Sequence, residues 1–110
     1  MPVATATRLR ALADDVGSQA AIAELLHVHR SRVSRWLSGH QPDPRNRARI
    51  VGLDFVLSRL LEVYERDAAL EWLRGFNAHL HDRRPIDLLR EGRALEVAAA
   101  IEQLASGSYA

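Results

Sequence analysis

Leu9, Leu12, Ala13 and Val16 open the chain with one apolar face at helical spacing, and the same three-and-four rhythm recurs as far as Leu104. No stretch alternates with a period of two, so the pattern predicts an all-α chain. A first helix runs from about Thr7 to Val16 and stops at Gly17. Ser18 is placed to cap a second, Gln19 to Leu26, with Ile22, Leu25 and Leu26 inward. After the short connection His27-Val28-His29, a third helix from Arg30 to Ser38 carries Val33, Trp36 and Leu37, and Gly39 supplies its left-handed stop. Pro42 and Pro44 keep the following connection out of a helix.

The longest helix is expected from Arg45 to Glu65. Ile50, Leu53, Leu57, Leu60 and Tyr64 form its main stripe. Val51, Phe55, Val56, Leu61 and Val63 widen the apolar arc beyond what one neighbour fills. Such a helix is either buried on several sides within the chain or also forms a partner interface. A fifth helix, Asp67 to Phe76, is anchored by Leu70, Trp72 and Leu73, with Trp72 read as core. Asn77 to Arg84 reads as a polar loop. Pro85 suits the first position of a short helix ending at Arg90, with Gly92 beyond it. A last helix, Arg93 to Ala105, presents Leu95, Ala98, Ile101 and Leu104 inward, and residues 106–110 read as a flexible tail.

Composition narrows the class. Apolar residues make up 47% and charged residues 26% of 110, which fits one globular domain or two very small ones. With no cysteine, a disulfide framework, a cysteine–zinc site and a thiol nucleophile are excluded. No apolar run is long enough to cross a bilayer and no signal peptide is visible at the start, so a cytoplasmic protein without membrane contact is expected. The pairs His27/His29 and His79/His81 are weak as metal sites, because residues two apart do not face the same way on a helix. Neither a glycine-rich phosphate loop nor a nucleophile motif occurs. No cofactor, no metal and no enzymatic activity are expected.

Charge is divided unevenly. Residues 1–50 hold eight arginines against four carboxylates, and residues 51–110 hold seven against ten. A basic half joined to an acidic half suggests two surfaces with different partners, the basic one suited to phosphate.

The segment Ser18 to Gly39 carries the clearest signal. Ala20, Ile22, Ala23 and Leu26 are set to face Val28, Val33, Trp36 and Leu37; the small Ala23 lets two helices cross closely and Val28 plugs the turn. This is the packing of a helix-turn-helix, whose second helix enters the DNA major groove by its N-terminal end. Arg30, Ser31, Ser34 and Arg35 lie off the apolar face, where arginine can bond guanine bidentately and serine can bond bases or phosphates. Gln19, at the start of the preceding helix, is placed to touch a phosphate, and Arg32, Arg45, Arg47 and Arg49 are candidate backbone contacts.

On these residues the segment resembles the Xre/Cro-like helix-turn-helix family. It departs where that family usually has Gly, here His27, and where it usually has a Ser or Thr cap, here His29. A non-glycine residue is thus expected at positive φ, and a histidine as helix cap. In the second half, Trp72-Leu73, Asn77, Leu80, the run from Arg83 to Gly92 (RRPIDLLREG), Val97, Ile101, Leu104-Ala105, Gly107 and Tyr109 resemble the toxin-binding domain of MbcA/ParS/Xre-type antitoxins. The likeness covers about Asp67 to Ala110.

The resemblance implies a division at residues 5–65 for DNA and 66–110 for toxin. It implies a type II antitoxin that inhibits a RES-domain, NAD-degrading toxin protein and binds operator double-stranded DNA to regulate its own transcription. The family's tail reaches toward the toxin's active site; carried over, that tail is Ser106, Gly107, Ser108, Tyr109 and Ala110. Arg83 and Arg84 are candidate toxin contacts, although helix-end ion pairing accounts for them equally on local grounds. One recognition helix reads little sequence, so a homodimer is implied, together with a hetero-oligomeric complex with the toxin. Two alternatives stay open: a stand-alone dimeric regulator whose C-terminal half only dimerises, and an antitoxin that keeps the helix-turn-helix solely as scaffold.

Overall fold

A computed structural model describes residues 4–107. Seven α-helices and one 3-10 turn account for its regular structure, and the described residues contain no sheet. The chain forms two compact units, Met1–Val51 and Gly52–Ala110. The helix α4, Pro44–Leu60, runs through both.

In the first unit, α1 (Thr5–Val16), α2 (Gln19–Leu26) and α3 (Arg30–Leu37) pack on one another in all three pairings. Leu9, Leu12, Ile22, Leu25 and Val33 are almost completely buried. Burying each such side chain contributes about 1.5–3 kcal/mol. Local signals end each helix. Gly17 takes φ +107 and returns its N–H to Ala13 O, and the Ser18 side chain accepts from Ala21 N at 3.1 Å. α1 begins two residues before the expected Thr7, while α2 has the expected bounds. Within the helix pair, Ala23 and Leu26 are buried and Val28 and Leu37 half-buried, but Ala20 is exposed.

The second unit holds the rest of α4, α5 (Arg66–Arg74), the 3-10 turn Ala78–Leu80, α6 (Pro85–Arg90) and α7 (Ala94–Ala105). α6 contacts both α5 and α7, and α7 also meets the 3-10 turn. Leu53, Leu57, Leu60, Leu73, Leu88 and Ile101 are its most deeply buried large side chains. Gly52 makes room for α7, since a Cβ there would lie 3.1 Å from the Ala94 Cβ.

Several expectations about this unit are corrected. α4 ends at Leu60, not Glu65: the N–H groups of Val63 and Tyr64 both bond Leu60 O, closing a turn, and Glu65 is already extended. Tyr64 is therefore half-buried rather than on the stripe, and Val63 is exposed. α5 stops at Arg74 because Gly75 adopts extended backbone, which leaves Phe76 outside the helix and 80% exposed. Trp72 is half-buried, with Ala69 and Leu73 taking the core positions. Residues 77–84 form a loop, as expected, and it is braced: the Asn77 side chain accepts from His79 N at 2.9 Å, Leu80 is buried in the 3-10 turn, and an isolated bridge joins Asn77 to Arg83. Finally, α7 turns Val97, Ala100 and Ile101 inward and leaves Leu95 81% exposed. No described helix is long and apolar enough to cross a membrane.

Candidate functional site

The turn between α2 and α3 is built from two histidines. His27 adopts φ +59, ψ +47, the left-handed conformation expected at that position. Its N–H bonds Ala23 O and Glu24 O, and the Val28 N–H reaches Ala23 O at 3.0 Å. These bonds close α2 in the manner of a Schellman motif. His29, in extended backbone, caps α3: its Nδ1 accepts from Ser31 N at 3.2 Å and lies 2.9 Å from Ser31 Oγ. A nitrogen can accept there only while it carries no proton. Histidine thus supplies the cap where the resembling family usually has Ser or Thr.

This turn sets the first residues of α3 beside the start of α2. Gln19, Arg30, Ser31 and Ser34, with Ser18, Ala20 and His29, line one open depression. All four sequence-expected members are exposed. Arg35, one helical turn beyond Ser31, is exposed on the same helix but does not line the depression. Two helix N-termini and an arginine lining one concavity suit an anionic, hydrogen-bonding surface.

Arg32 is engaged elsewhere. Its guanidinium carbon lies 5.5 Å from the Trp36 ring centroid, and its Nη2 donates to Asp43 Oδ1 at 3.3 Å. Asp43 in turn accepts from Asn46 N at 3.3 Å and from Asn46 Nδ2 at 2.6 Å, capping α4 just before Pro44. The Asn46 side chain, with a smaller contribution from Arg32, holds the Asp43 carboxyl below its usual range. Sequence reasoning missed this cap. Its signal was present as an acid before a proline at the helix's first position, with a polar residue three further on.

In the second unit Arg83 and Arg84 are both tied locally. Arg83 donates twice to the Glu91 carboxylate, and Arg93 pairs with Glu91 at 3.6 Å and with Glu96 at 2.7 Å. Arg84 grips Asp87 through Nε at 2.9 Å and Nη2 at 3.1 Å, and Arg90 reaches the same carboxylate at 3.2 Å. Asp87 sits in the first turn of α6, where a negative charge complements the helix dipole. Arg84 first, and Arg90 less, hold the Asp87 carboxyl below its usual range; Arg83 does the same to Glu91. The two candidate arginines therefore brace the segment around α6. α7 closes with Ser106 Oγ donating to Gln103 O at 3.1 Å and with Gly107 at φ +69. Ser108, Tyr109 and Ala110 lie outside the described residues. Among the described residues no three His, Asp or Glu side chains group as metal ligands.

Comparison with known proteins bears on both units. Residues 59–107 match the family model of the antitoxin Xre/MbcA/ParS C-terminal toxin-binding domain. The mycobacterial cidal antitoxin MbcA of Mycobacterium tuberculosis is 33% identical over 89 residues, which cover 80% of this chain and 79% of the relative. The Mycobacterium bovis protein of that name matches to the same extent. A chain from the crystal structure of the M. tuberculosis MbcT–MbcA toxin–antitoxin complex superimposes with a TM-score of 0.81 at 28% identity, covering 99% of this chain and all of that one. On 33% sequence identity over four-fifths of its length, with a similar fold in a solved structure, the chain belongs to the MbcA family of antitoxins.

Proposed function

We propose that the chain neutralises a RES-domain toxin that degrades NAD and, through its first unit, represses the operon encoding the pair. The observation that carries the reading is the fold agreement over 99% of the chain with a member of a toxin–antitoxin complex. Toxin contact is assigned to residues 66–110, with the tail from Ser106 through Ala110 blocking the toxin's active site. A left-handed Gly107 supports that assignment, because it marks the stop of α7 ahead of Tyr109 in the sequence. Tyr109 offers an aromatic anchor with a polar tip. Arg83 and Arg84 contribute by holding the α6 segment in shape and by presenting partly exposed guanidinium edges.

DNA contact is assigned to residues 5–65. Arg30 and Arg35 read base edges, Ser31 and Ser34 bond bases or phosphates, and Gln19 meets a phosphate at the start of α2. Arg32 reaches a phosphate by leaving Asp43, a solvent-screened pair that opens at little cost. Two copies together read an operator with two half-sites, and the working assembly is a homodimer within a hetero-oligomeric complex in the cytoplasm. Co-expression with a RES-domain toxin tests the reading. Cells hold their NAD when both are present and lose it when the toxin is expressed alone; NAD loss undiminished by the chain refutes it.

A further inference from the structure

We infer that the first unit carries a second anion site: a phosphate-binding cleft at the C-terminal end of α3, formed by Arg8, His40 and Arg47. It is separate from the depression at the N-terminal end of the same helix. α3 spans eight residues, so the two ends stand about 12 Å apart. The cleft has a volume of about 430 Å³, within the range that accommodates a small ligand.

Three elements each bring one basic side chain to its wall: Arg8 from α1, His40 from the α3–α4 connection and Arg47 from the first turns of α4. No carboxylate lies among the described lining residues. The two arginines bring like charges together, which raises the local potential and concentrates an anion there. The basic groups are also positioned. His40 Nδ1 lies 3.3 Å from Arg35 O, to which it donates, so Nε2 is the ring nitrogen left for a ligand, meeting a phosphoryl oxygen as a donor from the protonated ring or as an acceptor from a protonated phosphoryl oxygen. Arg47 Nη2 donates to Gln41 Oε1 at 3.2 Å, which holds the guanidinium beside the loop. Thr5 and Gln41 add uncharged polar groups, and Trp36 adds an apolar wall. Planar guanidinium forks beside an imidazole match the several oxygens of a phosphoryl group better than a single carboxylate.

That phosphoryl group comes either from the backbone of bound duplex or from a free phosphorylated small molecule. The duplex source rests on the DNA role proposed above; the free source does not.

The test uses the full chain carrying Trp72→Phe, which leaves Trp36, in the cleft wall, as its sole tryptophan. Inorganic phosphate and adenosine monophosphate are titrated without DNA, followed by Trp36 fluorescence and calorimetry. Operator affinity is measured separately against salt. Each titration is repeated with Arg8→Ala, His40→Gln and Arg47→Ala, after circular dichroism has confirmed the fold, and with Arg30→Ala as a comparison. Saturable binding of either probe, weakened about tenfold or more by Arg47→Ala, establishes a free ligand. No binding of the probes, but operator affinity reduced for all sequences alike and a salt slope lowered by about one per arginine removed, establishes a backbone phosphate. If neither probe binds and Arg8→Ala, His40→Gln and Arg47→Ala leave operator affinity and its salt slope unchanged, the cleft is not an anion site. If Arg30→Ala also leaves operator binding unchanged, the DNA reading fails independently, and the cleft is decided by the probe titrations alone.

Discussion

Replacing His27 with glycine should stabilise the protein. His27 holds φ +59, ψ +47 at the end of α2, and its side chain is exposed. A residue with a Cβ pays roughly 1–2 kcal/mol for left-handed backbone, through contact of Cβ with the following carbonyl. Glycine removes that strain but gains more freedom in the unfolded chain, which offsets about 0.5–1 kcal/mol. The net gain for His27→Gly is about 0.5–1 kcal/mol. For a domain of this size that raises the melting temperature by about 2–6 °C. His27→Val works in the opposite direction, because a β-branched side chain tolerates positive φ least. Thermal melts by circular dichroism and urea titrations on the three proteins measure the difference. The bonds from residues 27 and 28 back to Ala23 and Glu24 involve only main chain, so they survive either substitution. A glycine variant that melts at or below the parent, alongside a valine variant equal to the parent, would refute the strain argument.

Other outcomes follow from the same geometry. Arg30→Ala and Arg35→Ala should each weaken operator binding by about 1–3 kcal/mol where they read a guanine, with relaxed preference at that base pair in a competition assay. Unchanged affinity and preference would remove them from the reading surface. Asp87 ionises more readily in the folded chain than in the unfolded one, so its contribution to stability is complete above the ordinary carboxylate range. That contribution is lost as pH falls through the lowered folded value. Asp87→Asn should therefore flatten the acid limb of the stability–pH curve, and an identical limb in both proteins would show that the Arg84 and Arg90 pairs contribute nothing. Gly52→Val should destabilise the second unit, since even a Cβ at that position crowds Ala94, and a urea midpoint equal to the parent's would show that α7 moves aside freely.

Much of the first unit was legible because its helix ends are written locally. Gly17, Ser18 and Gly39 act on neighbours within a few residues, and the apolar positions of α2 and α3 leave little choice of face. The left-handed conformation of His27 was legible only through its place in a family pattern, since histidine does not announce positive φ. His29 as a working cap followed from its position rather than from its residue type. The second unit was harder because packing partners decide it. Leu95-Ala98-Ile101-Leu104 and Val97-Ala100-Ile101-Leu104 both have helical spacing, and only the neighbours of α7 select the second. The end of α4 was hidden because Leu61, Val63 and Tyr64 continue the apolar rhythm through residues that close a turn. Arg32 looked available for DNA because Asp43, eleven residues away, gives no local sign of pairing with it.

The proposed closure of the toxin's active site by residues 106–110 is tested by comparing the full chain with a variant lacking them, each mixed with the purified RES-domain toxin while NAD consumption is followed. The full chain should stop NAD loss, and the shortened chain should still bind the toxin in a pull-down yet leave NAD consumption running. Equal inhibition by the two proteins would contradict the account.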